Sequence, residues 1–546
     1  MKSIFVLFAF LIGVFASCDS ILEISDNLDE SGALYEKGLF SSEENIEGVL
    51  NGVYAKFASQ FYNGGSFFQM TSSNTPYFSS GGPKGETFTD FDIPTELTQL
   101  FQTWVAMYEC IDSANQFIES IAIYAADMPS TPTNLGQAHF LRALTYFDLV
   151  RVWGEVPLRI EPANKETLFF PKSSKQEIYN QIVLDLKEAK RLLPAENYKP
   201  GRPKSHAAAG YLAKVYMAMA TEFDNGTDYW TLARTEAISV VGKYELVGSY
   251  AELFEEGNKN TVESIFEIQY SSTGTSAVSN VLTTVTAPGK SIYNRRSNGG
   301  GLRINKMAFH DHYKDYGIAR DTASIHPDTR IPVTYISESF TQIIAPITIK
   351  KLYPIVFGNT GVNYIKKYQE ETNTNINSGR NRIMFRYADL LLMLAEIENE
   401  IGDKEVAKDY IEQVLDRADG YSDTLYELSN IEGITDVDEL RERIMIERIY
   451  ELLGEGHEWF DLRRQTIDGV SFLENRILRR QELMQTGGDD FAGTKKVSYG
   501  PIHNKNLQFV LDDPSILQKN MRFPIPLNEI LGNNALNFSD DQNTGY

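Results

Sequence analysis

The residue best placed to do chemistry in this chain is the cysteine at position 18. Lys2 precedes an unbroken apolar run, Ile4 to Ala16, which ends in Phe15-Ala16-Ser17-Cys18. That run is shorter than the ~20 apolar residues a membrane-crossing helix needs. A basic start, an apolar middle and small residues before a cut site describe an export leader instead. A cysteine directly after those small residues predicts removal of residues 1–17 and acylation of the Cys18 thiol, with palmitate as an expected chain. Phe15 stands where such leaders more often carry leucine. Each buried methylene stabilises attachment by ~0.8 kcal/mol, and two or more chains make the anchor lasting. The plainer alternative is an ordinary secretory leader that happens to contain a cysteine.

Other reactive residue types support less. His457-Glu458-Trp459-Phe460-Asp461 places His and Asp four apart, on one helical face, but a zinc-protease helix needs histidine where Asp461 stands. Gly454 and Gly456 interrupt the helix just before it, so a packing motif is the expected role. His310 and His312, two apart, would point to opposite faces of a strand and make a poor metal pair. Asp90, Asp92 and Glu96 lack the loop glycine and regular spacing of a calcium site. Carboxylates are too many for a glycosidase pair to be picked out. No phosphate loop, nucleophile elbow or dinucleotide fingerprint occurs. The expectation is a protein with no catalytic residue, no metal site and no cofactor. Cys110, on an apolar helix and with no intramolecular partner once Cys18 carries lipid, reads as a small buried hydrophobe.

A net charge of −23 over 546 residues argues against nucleic acid, which calls for a basic patch. For smaller ligands, the tryptophans inform by where they are not. Trp104, Trp153, Trp230 and Trp459 all lie in strongly helical blocks, so any platform for a sugar ring must be Tyr or Phe from the loops. The candidates are Tyr77, Phe78, Phe88 and Phe91 in one loop-rich segment, with Asn74 to orient hydroxyls, and Tyr293 with Arg295 and Arg296 in another. Aromatic faces beside a few polar groups suit a ligand site. Ordinary loop packing is the competing reading for each.

The elements that would position these residues are mostly helices. An acidic tether (Asp19, Glu23, Asp26, Asp29, Glu30) follows the cysteine, and from about Ser42 the chain turns helical. Phe101 to Ser120 sets Trp104, Tyr108, Ile111, Asn115 and Ile118 on one stripe, and Asn115 must be hydrogen-bonded if buried. Ala138 to Trp153 is apolar on most sides, a central helix stopped by Gly154 and Pro157. Helices follow over Ser174 to Leu193 and Ser205 to Thr221, the second crowded with alanine. A third opens at Asp228 and ends at Gly242, with Leu232, Ala233, Ala237 and Val240 facing inward. Tyr387 to Glu400 and Glu405 to Ala418 repeat the style. Paired helices with alanines at the contact and short turns resemble degenerate tetratricopeptide units of about 34 residues. Leu440 to Leu453 is a further helix ended by Gly454, and Pro524 and Pro526 force an extended strap. Between the helical blocks, Gln269 to Arg380 and Phe61 to Pro94 are rich in Gly, Ser, Thr, Asn and aromatics. Long irregular segments of this kind are often binding surfaces.

Read in order, five blocks resemble the SusD/RagB-type outer-membrane nutrient-binding lipoproteins. They are Trp104 with Tyr108, Ile111 and Asn115; Leu141 to Phe147 with Trp153 to Leu158; Arg386 to Glu396; Glu447-Arg448, Glu451-Leu452 and Glu455-Gly456 with Trp459 to Arg464; and Phe523 to Pro526 with Glu529-Ile530 and the terminal Gln542 to Tyr546. Ile449 and His457 stand where the family usually has arginine, and Thr544 where it usually has proline. The resemblance implies a mainly α, tetratricopeptide-like scaffold with a variable loop-rich region and short strands. It also implies a non-catalytic surface protein that captures oligosaccharide, or in some members peptide, for a SusC-like TonB-dependent β-barrel transporter. The expected organisation is a leader (1–17), tether (18–40), N-terminal helical region (41–270), variable ligand region (271–380) and C-terminal region completing the scaffold (381–546). The rivals are a peptide-binding member of the same family, a surface glycan hydrolase and a periplasmic helix-repeat adaptor.

Overall fold

In a computed structural model of the chain, the described residues are 37–80, 93–164, 168–196, 198–271, 302–316, 327–336, 339–344, 347–352, 364–370, 378–486, 488–489, 496–497 and 521–546, with Phe88, Phe91, Ser515 and Lys519. Cys18, Asp90, Asp92, Tyr293, Arg295 and Arg296 lie outside them.

Helix α1 (Glu43–Phe57) starts where the Ser42 side chain accepts from the Asn45 amide, and a short helix α2 (Ser66–Ser73) leads to strand β1 (Phe78–Ser80). Helix α3 (Thr98–Tyr124) buries Trp104, Ile111 and Asn115 of the predicted stripe and half-buries Tyr108 and Ile118, and α4 (Thr131–Trp153) follows. Helix α4 begins seven residues before its expected start because Pro132, in the first turn, presets a helical φ without losing a needed donor. Burial around nearly the whole of α4 makes it the central helix. Then come α5 (Lys175–Leu192), closed at its start by a reciprocal Ser174–Glu177 capping box, α6 (Ser205–Glu222) and α7 (Gly226–Ile238). In this third helix Ala233 and Ala237 face inward as expected, but Leu232 is 43% exposed and belongs to the outer face. Its side of the helix has no partner helix to bury it.

Successive helices pack on one another: α3 on α4, α4 on α5, α5 on α6 and α6 on α7. The style resumes after the variable segment with α9 (Tyr387–Ile401) on α10 (Lys404–Asp419), and α7 packs on α9 to join the two series. Strand β2 (Ser264–Ile268), before the variable segment, pairs antiparallel with β6 (Arg382–Arg386) after it. The segment between is therefore held at both ends by one ladder. Gly210 on α6 permits this approach, since a Cβ there would lie 2.3 Å from the Phe385 ring.

Within the variable segment, β3 (Leu302–Ile304) enters helix α8 (Lys306–Tyr316), and β4 (Ser339–Ile344) and β5 (Ile347–Leu352) form an antiparallel pair. His310 and His312 thus sit on a helix, not on the expected strand. Ala308, His312 and Tyr316, four residues apart, are buried along one face of this helix, while Lys314 is exposed. Helices α11 (Val437–Leu452), α12 (Glu458–Arg464) and α13 (Phe472–Thr486) complete the described fold. The proline strap closes it: Phe523 donates its amide to Val152 at 3.0 Å, and the Trp153 indole donates to the Pro524 carbonyl at 2.9 Å. Among the described residues no helix is long and apolar enough to cross a membrane.

Candidate ligand face and its supports

Strand β1 pairs with β3 so that Ser80 faces Leu302 and Phe78 faces Ile304. The pairing is antiparallel, so the chain leaves β1 and enters β3 at the same end of this ribbon. Ser80 and Leu302, far apart in sequence, therefore lie side by side at that end. In sequence, Ser80 leads on towards Phe88 and Phe91, and Leu302 follows the stretch that contains Tyr293, Arg295 and Arg296. Arg480 of α13 braces the ribbon through a 3.3 Å hydrogen bond to the Pro76 carbonyl, and Asn305 donates to the Tyr77 carbonyl at 2.6 Å.

The structure corrects the stacking role expected of the first loop. Phe78 and Phe88 are fully buried, Tyr77 and Phe91 are 3% exposed, and Asn74 is fully buried. Phe88 packs against Phe523 of the strap, with ring centroids 5.7 Å apart. Desolvation raises the pKa of the Tyr77 hydroxyl well above its ordinary value. These side chains close the core beneath the ribbon, because rings this large gain more from burial than a loop surface offers. Tyr293, Arg295 and Arg296 lie outside the described residues.

Beneath the ribbon lies a feature that apolar periodicity hides. Arg386, at the end of β6, donates to Glu263 (2.8 Å) and Glu455 (2.8 Å) and pairs with Glu451. Arg417 of α10 meets the same Glu263 at 2.8 Å. From the variable segment, Lys367 reaches Glu455 at 2.9 Å, and Arg330 reaches Glu451 at 3.1 Å and Asp328 at 2.7 Å. His312 donates through Nε2 to the Asp328 carboxylate at 2.8 Å and stacks on Tyr450 at 4.1 Å. None of the charged members is more than 3% exposed. Burial alone would raise the Glu451 pKa, but Arg417, Arg386 and Arg330 outweigh it and bring the carboxyl down to about 2. Burying charge is costly unless each is paired, and here each is. The network bolts the variable segment onto α10 and α11. Its signal was available in sequence: Glu447, Glu451 and Glu455 recur every four residues through an otherwise apolar stripe.

The remaining reactive residues are structural. Desolvation holds the His457 pKa down to about 4, against the opposing pull of Asp389, while Asp461 is engaged by Arg448 at 2.7 Å. Among the described residues no group of three or more His, Cys, Asp or Glu could hold a metal. The Cys110 thiol is fully buried and pushed up to about 12 by desolvation. Asn115 meets its requirement, donating to the Arg159 and Glu161 carbonyls and accepting from Arg142 at 2.8 Å. One surface went unread in the sequence. A groove of ≈ 470 Å³ beside α3 sets Phe169, 47% exposed, near Tyr108, Asp112 and Asn533.

A helix-pair frame with an insertion held at both ends by one β-ladder defines the architecture. Comparison with known proteins gives the family. The SusD family profile matches residues 352–546, and a profile described as "Starch-binding associating with outer membrane" matches residues 25–217. The chain belongs to the SusD/RagB family. It is 25% identical over 502 residues to SusD-like protein P2 of Formosa agariphila, covering 87% of this chain and 93% of that protein. The crystal structure of a SusD homolog from Bacteroides thetaiotaomicron VPI-5482 superposes with a TM-score of 0.73 at 22% identity, covering 94% of this chain and 99% of that one. A further neighbour, solved with xylogluco-oligosaccharide, has a TM-score of 0.66 at 18% identity and covers 90% of this chain and 99% of its own. The mainly helical, tetratricopeptide-like architecture agrees with these folds.

Proposed function

We propose that this chain is a cell-surface lipoprotein, anchored through Cys18, that captures a nutrient oligosaccharide and delivers it to a SusC-like TonB-dependent transporter in the outer membrane. The observation that carries the reading is the β1–β3 ribbon, which sets Ser80 beside Leu302 and so joins the two points of the chain that lead, in sequence, into the glycine-containing stretches on either side. Family membership and the oligosaccharide seen in a structural neighbour support a glycan as ligand. Tyr293 supplies the stacking face, and Arg295 and Arg296 the hydrogen bonds, while Asn74, Tyr77, Phe78, Phe88 and Phe91 hold the core beneath them.

Base–aromatic and sugar–aromatic contacts share their physics, and removing a stacked ring costs ~1–3 kcal/mol. Tyr293→Ala is expected to weaken oligosaccharide binding, measured by glycan array and titration calorimetry, by about tenfold or more on that scale. Loss with Phe169→Ala instead, and none with Tyr293→Ala, moves the site to the groove beside α3. Co-purification with a large β-barrel in mild detergent checks the transport role. A solitary protein under those conditions, or cleavage of the glycan with turnover, overturns it.

A further inference from the structure

A second cleft, of ≈ 190 Å³, opens between α4, α6, α9, α11 and α12 beside Met521 and Arg522. In a chain of net charge −23 its walls are crowded with cations. Most are matched: Lys214 with Asp389, Arg464 with Glu396, and Arg151 with Asp148. Two are matched incompletely. Arg463 donates to the carbonyls of Trp459 (3.3 Å), Arg151 (2.6 Å) and Met521, and its guanidinium lies 3.5 Å over the Trp459 ring. No carboxylate among the described residues pairs with it. Arg448, 3% exposed, donates to Asp461 through Nε at 3.0 Å and Nη2 at 2.7 Å, and the same Nη2 lies 2.9 Å from Asp389. Its Nη1 has no hydrogen-bond partner among the described residues.

The balance tilts further at the rim. Glu222 is shared between Arg522, at 2.8 Å, and Lys175. Desolvation, and then the like charges of Arg522 and Arg151, hold the Arg463 pKa well below the ordinary arginine value. An orphaned buried donor costs about 1–3 kcal/mol. Arg448 is paired with Asp461 and Asp389 and has only its Nη1 unpartnered among the described residues, so the cation that lacks a carboxylate and attracts an anion is Arg463. The lining also includes the apolar Met217, Met393 and Met521, while the Phe147 and Phe460 rings flank the Arg151 guanidinium at 3.9 and 3.8 Å. The volume lies below the ~300–1,000 Å³ of sites that hold drug-sized ligands. We propose that this cleft binds the oxyanion of a small acidic ligand, a carboxylate or sulfate on a body no larger than one sugar ring. Arg448 and Arg463 supply the charge, and Met217, Met393 and Met521 line the space for the carrier. The site is distinct from the ribbon and does not depend on a glycan binding there.

The test is calorimetric titration of the purified full chain with sodium glucuronate, sodium sulfate and glucose at constant chloride. Saturable glucuronate binding, with glucose at least tenfold weaker, is the expected result for charge-assisted recognition. Sulfate weaker than glucuronate assigns the anion to a sugar-borne group, and sulfate as strong assigns it to a free inorganic ion. Arg463→Gln should weaken binding about tenfold, the scale of one charged hydrogen bond. Glu222→Gln removes a competing carboxylate and should tighten binding severalfold, a direction that structural damage does not produce. No saturable heat with either anion, equal binding of glucose, or no tightening in a folded Glu222→Gln protein overturns the proposal.

Discussion

Two charged regions of one scaffold are built on opposite rules. Around Arg386 and Glu451 every charge is dry and matched, with acidic and basic side chains from β6, α10, α11 and the variable segment meeting at 2.8–3.1 Å. Around Arg463 and Arg448 the charges are partly wet, and cations outnumber the carboxylates facing them. Apart from the Arg417 Nε, which has no hydrogen-bond partner among the described residues, this dry and matched network has little to offer a ligand, so its worth is positional. An unbalanced cleft stabilises little by itself, and its worth is in what it attracts. Charge density alone does not separate these roles; the pairing does.

The comparison breaks most directly at Arg386. Replacing it with Met removes the partner common to Glu263, Glu451 and Glu455 and leaves their charges buried. A buried pair broken on one side costs about 3–5 kcal/mol, and urea unfolding of Arg386→Met should show a loss of at least that scale. Glu222→Gln in the cleft should stay within ~1 kcal/mol of the parent, since the Glu222 pairs are partly exposed. Equal losses in the two variants would erase the distinction drawn between the regions.

Acid should find the network next. The Glu451 carboxyl has an ordinary pKa of 4.5 and a folded value of about 2. A depressed folded value means stability that is fully present above pH 4.5 and drains away as pH falls towards 2. Each tenfold change in proton affinity is worth ~1.4 kcal/mol, so the contribution at stake is about 3 kcal/mol. Unfolding free energies measured at pH 5 and pH 3 should differ by about 2 kcal/mol from this group, the rest being lost below pH 3. Glu451→Gln, though less stable at pH 5, should show a flatter profile over the same window.

The frame was legible in sequence because apolar stripes at helical spacing and their stops are local. The helix through Trp104 to Ile118, the helix opening at Ser174 and the Gly154 stop all act within a few turns of themselves, and the structure places them as read. The loop aromatics were misjudged for the converse reason. Whether Phe78 or Phe88 faces solvent depends on β3 and on Phe523, hundreds of residues away. His310 and His312 failed on period: in a short polar stretch, spacing two apart fits a strand or a helix equally well. The ion network and the basic cleft escaped because charged residues at helical spacing look like solvated faces until their partners on other helices are seen. The family blocks did mark their members, Arg386, Glu451, Glu455 and Arg463 among them, without revealing that the first three close a network and the last does not.

Glu458 gives the smallest effect and the sharpest sign. It stands at the start of α12, where its carboxylate accepts from the Gly454 amide, and its Oε2 has no hydrogen-bond partner among the described residues. Desolvation outweighs that bond and raises the carboxyl from 4.5 to about 7. With the folded value above the unfolded one, stability is fully present below pH 4.5 and is lost as pH rises through 7, the reverse of Glu451. Glu458→Gln keeps an acceptor for Gly454 and removes the charge. It should therefore leave stability near parental at pH 4.5 and raise it by about 1–2 kcal/mol at pH 8, read as a shift in urea midpoint. A variant destabilised at pH 8 would mean that the charge of Glu458 is compensated after all, and that the matched network extends to the very edge of the basic cleft.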